Sequence, residues 1–415
     1  MRRVLLAMLV AITTVAPVLA DPAAPLTISE ALAQADARNP DIAAARSDVD
    51  IARAGLTQTA PTPLQADATK ATTQDVPLGL GPLQTFSAGL TQQLSPTTGA
   101  QRSAAAAAVE VAQAQLAGVR LDVDRRVVAA YYGLASAQAV VVAAVQSVQN
   151  ASAFERSAAL RARVGAVGNF EVLRAQVERR RAQTDLLRSQ AQERTADIAL
   201  DVLIGRSGDV PNAVTLALPQ STTTDLGALY AKAQRIDPEL SQFRAGIRQA
   251  IAQQRVALLQ RAPSLGLSAG YLFQRAPGSG GVTSRGPTTA ITLSVPLFDY
   301  GTIRGAAAEA RARQAQARAH LQGRDAALRG EIETDVAEIE SAQARLTFSR
   351  ESLTQAQEAL RLAQFGYDRG ALGILDVVTA RNEVALAQSE VTRASADLGA
   401  SIARLHLIVG EPVSP

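Results

Sequence analysis

The 415-residue chain has no cysteine, no tryptophan, two histidines and only 3% aromatic residues. Without cysteine there is no disulfide, no thiolate metal site and no lipid on an N-terminal cysteine, so any membrane attachment must come from the fold. The scarcity of rings argues against a core filled by large aromatic side chains. A hydrophobic share of 47% still supplies close packing of small side chains, which favours long helices. Lys70 and Lys232 are the only lysines, and the net charge of +3 rests on arginines interspersed with acids. That pattern gives no support to nucleic-acid binding, and "ERRRAQ" (178–183) reads as a solvated helix face. Catalytic signatures are missing too. There is no GxSxG and no Walker loop, and His320 and His406 fall in separate helical stretches, so no catalytic, cofactor or metal residue is assigned and the chain is read as not an enzyme.

The first twenty residues, "MRRVLLAMLVAITTVAPVLA", place Arg2 and Arg3 before an apolar run and end on small residues. This is the pattern of a cleavable signal peptide (1–20), with the mature chain starting near Asp21. A second apolar run, "AVVVAAVQSV" (139–148), is too short for a span by itself.

The rest of the chain reads as two copies of one plan. "NPDIAAAR" (39–46) matches "DPELSQFR" (237–244), each with a helix N-cap (Asn39, Asp237), a proline at the first helical position and an acid after it. "VGAVGNFEVLRAQ" (164–176) matches "RGALGILDVVTAR" (369–381), and "VLIG" (202–205) matches "LIVG" (407–410). The expected organisation is a first repeat over 21–205, a connector over 206–224, a second repeat over 225–410 and a tail at 411–415.

Each copy is expected to run through a short helix, two strands, a very long helix, a glycine turn and a return helix. In the second copy the strands are expected at about 264–274 and 288–297. One face carries Leu265, Leu267, Ala269, Tyr271 and Phe273, and the other strand presents Ile291, Leu293, Val295 and Leu297. In the first copy they are expected at about 64–73 and 85–94, with Phe86, Ala88, Leu90 and Leu94 on one face. Ten or eleven alternating residues suit a tilted strand crossing a bilayer, and Tyr271, Phe273, Phe298 and Tyr300 sit where interfacial girdles would lie. A half-buried sheet in a soluble protein gives the same alternation. Proline-free stretches over about 99–164 and 301–369 predict helices of roughly 100 Å, followed by return helices over 169–204 and 374–409 of about 54 Å. Val377, Val384, Val391, Leu398 and Leu405 recur every seven residues, with small residues three places on, as in a coiled coil.

In the repeated turn, Gly165 and Gly370 can end a helix in the left-handed region, and Gly168 and Gly373 can cap the next. Glu171 and Asp376 then fall at the third helical position, facing free amides. "YDRGALGILDVVTARNEVALAQSEV" (367–391), "LTISEALAQADARNPDIAAAR" (26–46) and the duplicated plan together resemble the outer-membrane efflux protein family, the TolC-like exit ducts. The resemblance covers essentially the whole mature chain. It implies a mainly α fold with a small transmembrane β part: a homotrimer whose subunits each give four strands to a twelve-stranded β-barrel and helices to a twelve-helix periplasmic α-barrel. It also implies an outer-membrane location, lipid contact through Leu265, Leu267, Tyr271, Phe273, Ile291, Leu293, Val295 and Leu297, and work with a periplasmic adaptor (membrane fusion protein) and an inner-membrane pump in tripartite efflux or type I secretion. Gly165, Glu171, Val172, Gly370, Asp376 and Val377 match the family's tip motif, which with Gly168 and Gly373 implies the periplasmic tip and adaptor-docking site, with Asp376 as constriction candidate. Two departures stand out: Gly168 and Gly373 replace a capping Ser or Thr, and Thr379 stands where a second acid is common. The competing reading is a periplasmic coiled-coil scaffold or an adaptor with no channel. Oligomerisation has an independent motive, because four strands in lipid leave two edges of unpaired backbone groups.

Overall fold

A computed structural model describes residues 25–59, 64–73, 83–165, 167–206, 212–214, 225–276 and 282–413. The expected signal peptide and most of the connector lie outside these residues. The first half contains α1 (Ile28–Arg38), α2 (Pro40–Gln58), β1 (Gln65–Thr73), β2 (Leu83–Leu94), α3 (Thr98–Arg163) and α4 (Asn169–Ile204). The second repeats the order with α5 (Leu226–Ile236), α6 (Pro238–Leu259), β3 (Ser264–Ala276), β4 (Val282–Ser294), α7 (Thr302–Asp368) and α8 (Ile374–Val409).

Two helices were not separated in the sequence reading, α1 and α5. The chain bends at Asn39 and Asp237, whose side chains accept from the N–H of Asp41 and Leu240 (2.9 and 2.7 Å) and start new helices at Pro40 and Pro238. Thr27 and Glu30 close α1 with a reciprocal capping box.

The 66 residues of α3 and 67 of α7 give rods of about 100 Å. Near the sheet α3 packs on the short helices α2 and α6 and α7 on α6; further away α3 packs on α4 and α8, and α7 on α8. Two related apolar clusters hold the junction. In one, Val123, Val127 and Leu134 of α3 meet Leu200 and Ile204 of α4 and Ala31 of α1. In the other, Leu328 and Ile332 of α7 meet Leu405 and Ile408 of α8 and Leu229 of α5. Each such side chain contributes about 1.5–3 kcal/mol on burial. Below the junction the small heptad positions Ala175, Ala182 and Ser189, and Ala380, Ala387, Ala394 and Ser401, are buried, so the paired helices approach closely. Gly205 and Gly410 end the return helices in the left-handed conformation.

α3 also contains an 18-residue window of mean hydropathy 1.7, long and apolar enough to cross a bilayer by length and composition. The run 139–148 falls inside this long helix, which continues on both sides of it. Val127, Val128, Tyr131 and Tyr132 in this region are core residues of the bundle.

The four strands form one antiparallel sheet in the order β1-β2-β3-β4, so the two repeats meet at the β2–β3 ladder and β1 and β4 are open edges. β4 differs from expectation. It begins at Val282 and ends at Ser294, which places Val295 and Leu297 beyond the strand. Pro296, which has no N–H to give a ladder, follows directly. Pro287 lies within β4, which is tolerable because β4 is an edge.

Candidate functional site

Register decides which strand residues share a face. Leu94, Leu265 and Leu293 form one row, Leu267 and Ile291 with Gln92 the next, then Leu90 with Ala269, Ala88 with Tyr271, and Phe86 with Phe273. All of these lie on one side. The other side carries Ser264 and Ser294, Gly266 and Thr292, Ser268 and Thr91, and Gly89, Gly270 and Thr288. The apolar side is not covered by any helix: Ile291 is 77% exposed, Leu293 66% and Tyr271 49%. From Leu265 to Phe273 the band runs about 26 Å along the strand at ~3.3 Å per residue, comparable with the ~25 Å apolar belt of an outer-membrane barrel. Its loop end is closed by a row holding Lys70 and Arg285 on either side of Phe86 and Phe273. These long cationic stems can lie along apolar surface with their heads in water. At the helix end Phe298 and Tyr300 meet edge to face at 4.6 Å, and both are exposed. Leu297 is 92% exposed beside them, outside the strand but on the same rim, and Val295 is also exposed.

The glycine turns lie at the far end of the long helices. Gly165 and Gly370 have φ of 74° and 75°, a region in which a β-branched residue is strained. Gly168 and Gly373 are extended N-caps without side-chain hydrogen bonds of their own. The two acids of the repeated motif behave differently. Asp376 folds back and accepts from the Gly373 N–H at 2.9 Å, half of a capping box. Glu171 instead reaches the other hairpin, where the Tyr367 hydroxyl lies 3.5 Å from its Oε2. Burial, and next the Glu171 carboxylate, push the Tyr367 phenol up, so it remains a proton donor. Arg161 of α3 stacks over the Tyr367 ring at 4.5 Å and pairs with Asp368 at 3.0 Å. Ile374 is buried against Phe154, Ala158 and Ala175, and Val377 against Ala363 and Ala380, while Val172 is half-buried. The hairpins are thus joined by one apolar plug and a few polar links.

Sequence reasoning placed the turn glycines and acids but missed Tyr367, Arg161 and Gly366. The last matters because a Cβ on Gly366 would sit 2.6 Å from Leu372 Cδ1, so a larger residue there would require the Leu372 side chain to move off α7. The tip is also apolar on its outside: Val164 is 73% exposed and Phe170 72%, with Leu160, Leu173, Leu372 and Leu375 around them.

Comparison with known proteins agrees with this geometry. Residues 229–411 match the family model described as outer membrane efflux protein. The second repeat is therefore similar to the outer membrane efflux proteins. The family is one of channel proteins and not of enzymes. VceC of Vibrio cholerae, a solved outer membrane protein, superposes with a TM-score of 0.75 at 20% identity over 92% of this chain and 96% of its own. Among curated relatives, Protein CyaE of Bordetella pertussis is 28% identical over 51% of this chain and 48% of its own length. The cobalt-zinc-cadmium resistance protein CzcC of Cupriavidus metallidurans is 28% identical over 61% of this chain and 58% of its own. The chain therefore spans about half the length of the curated relatives it matches. The chain has one continuous sheet built from both repeats.

Proposed function

We propose that the chain is one of three subunits of an outer-membrane exit duct that passively conducts cargo delivered by an inner-membrane pump through a periplasmic adaptor. One observation carries this reading: a four-stranded sheet with an exposed apolar face and two open edges stands at one end of ~100 Å helices. In lipid, unpaired edge amides and carbonyls cost several kcal/mol each, so β4 of one copy must pair with β1 of the next. The family resemblance selects three copies and twelve strands. The same closure suits the helices, since α4 and α7 each leave a flank that no helix of the same chain covers.

Leu265, Leu267, Tyr271, Phe273, Ile291 and Leu293 then face lipid, with Val295 and Leu297 at the periplasmic rim. The exposed apolar tip around Val164, Phe170 and Leu372 suits a partner's hairpin, and the left-handed turns at Gly165 and Gly370 set its shape. Opening the duct requires the second hairpin to leave the first, which breaks the Tyr367–Glu171 and Arg161–Asp368 links. Asp376 is half used as a cap, which leaves its other oxygen to face the constriction.

The test is a scan of single-cysteine pairs, one on β1 and one on β4. Within one chain β2 and β3 lie between these edges, roughly 14 Å at ~4.8 Å per strand, too far for a disulfide that needs Cα atoms within about 7 Å. Covalent trimers in outer-membrane fractions are the expected result. Monomers from every pair, in a soluble fraction, would refute the duct.

A further inference from the structure

Between the two hairpins, above the turns, lies a cavity of about 70 Å³ with Gln146, Asn150, Glu178, Asn382 and Gln388 in its wall. Arg381 of α8 enters it. Its guanidinium lies over the Phe154 ring at 5.3 Å and donates one hydrogen bond, to the Asn150 carbonyl oxygen at 3.3 Å. Among the described residues no carboxylate lies within ion-pair reach of Arg381. Other arginines of the bundle are treated differently: nearby Arg179 pairs with Glu155, and at the far end Arg324 pairs with Asp237, Glu239 and Glu331. Glu178 shares the wall, but its carboxylate turns to Arg181 at 3.8 Å.

An arginine cannot shed its proton at any ordinary pH, and it offers five N–H donors. Desolvation holds the Arg381 guanidinium below the usual arginine range, with no other contribution opposing it. A half-buried cation of this kind needs an anion, and the side-chain amides of Asn382 and Gln388 border the same space, as does that of Gln146, one N–H of which is given to Asn150 Oδ1 at 3.2 Å. We propose that this cavity binds a small monovalent anion, a halide or a short carboxylate, which ties Arg381 of the second hairpin to the amide-lined wall of the first. Size and the nearby Glu178 charge select against large or multiply charged anions. An occupant would steady the packing of α8 on α3 and α4 directly above the turns. The site goes beyond the duct reading and does not depend on it.

The probe is bromide on the purified full-length protein, read by hydrogen exchange of α8 amides around residues 378–388, with sodium gluconate at equal ionic strength as the large-anion control. With bromide at about ten times its Kd, exchange through opening of this segment should slow about ten-fold, following the 1 + [L]/Kd factor for a ligand of the closed state. Gluconate should leave it unchanged, and Arg381→Gln should abolish the bromide effect. Arg361→Gln, at an exposed i,i+3 pair with Glu358, should retain it. If Arg381→Gln does not fold, anomalous bromide density at Arg381 in wild-type crystals decides the matter. Bromide and gluconate acting alike, the effect surviving in Arg381→Gln, or crystals without bromide in the cavity would each overturn the proposal. None of these outcomes bears on whether the protein forms a duct.

Discussion

Replacing Asp335 by Asn should make the protein more stable at neutral pH and leave it unchanged in acid. Asp335 lies on α7, is 5% exposed, and has an Oδ2 with no hydrogen-bond partner. Arg404 approaches its other oxygen only to 3.8 Å. Burial pushes the carboxyl up to about 6 from 3.8; Arg404 opposes the rise, and Glu331 and Glu338 add to it. A shift of about two pH units is worth about 3 kcal/mol at ~1.4 kcal/mol per unit. The folded state holds this proton more tightly than the unfolded chain. The stabilisation is therefore complete below pH 3.8, declines as pH rises, and is lost above about pH 6. Asparagine copies the protonated form in shape and charge, so at about pH 7.5 the variant should gain up to about 3 kcal/mol, a net figure in which the attraction of Arg404 is already included. Thermal unfolding in detergent, followed by far-UV circular dichroism since the chain has no tryptophan, gives the difference across the pH range. The same offset between variant and wild type at every pH, or a less stable variant at neutral pH, would refute the reasoning.

Three further outcomes follow from the packing. A Cβ on Gly399 of α8 would lie 2.4 Å from Cε1 of Tyr132 on α3, so Gly399→Val should cost about 1–3 kcal/mol by overpacking, recovered in part by Tyr132→Leu in a double-mutant cycle. Gly370→Val has open space but φ of 75°, so the cost of about 1–2 kcal/mol should appear as faster hydrogen exchange at the turn, together with weaker adaptor capture. Glu171→Gln and Asp376→Asn should separate. The first should loosen the contact between hairpins and raise conductance in a planar bilayer. The second should fray the start of α8 by about 1 kcal/mol, with loss of cation block if its free oxygen lines the opening; equal effects of both changes on hairpin separation would argue against the division of roles.

Much of the architecture can be read from residue order because its signals are local. Proline spacing, the Asn39 and Asp237 caps and the seven-residue recurrence of Val377 to Leu405 all act within one or two turns. The heptad in particular predicts which side of α8 is buried. α1 escaped notice although "TISE" carries the capping box that starts it. The end of β4 was misplaced because Val295 and Leu297 continue the alternation past Ser294, and alternation alone does not register that Pro296 ends the ladder. The unequal use of Glu171 and Asp376 was not legible at all. It depends on Tyr367 lying close to Glu171 across the bundle, 196 residues away in sequence. The buried Asp335 and the isolated Arg381 are likewise products of packing among distant helices.

Gly89 and Gly270 face each other where the two repeats join, so closely that a Cβ on Gly270 would come within 2.7 Å of the Ala88 carbonyl oxygen. Both fall on the polar side of the sheet, in line with Thr288. In a threefold cylinder this places six bare backbone positions at one height, a waist wider than the rings of serine and threonine beside it. Traffic through the wall of the bilayer would meet peptide groups and hydroxyls there, surfaces that offer little grip to any particular solute.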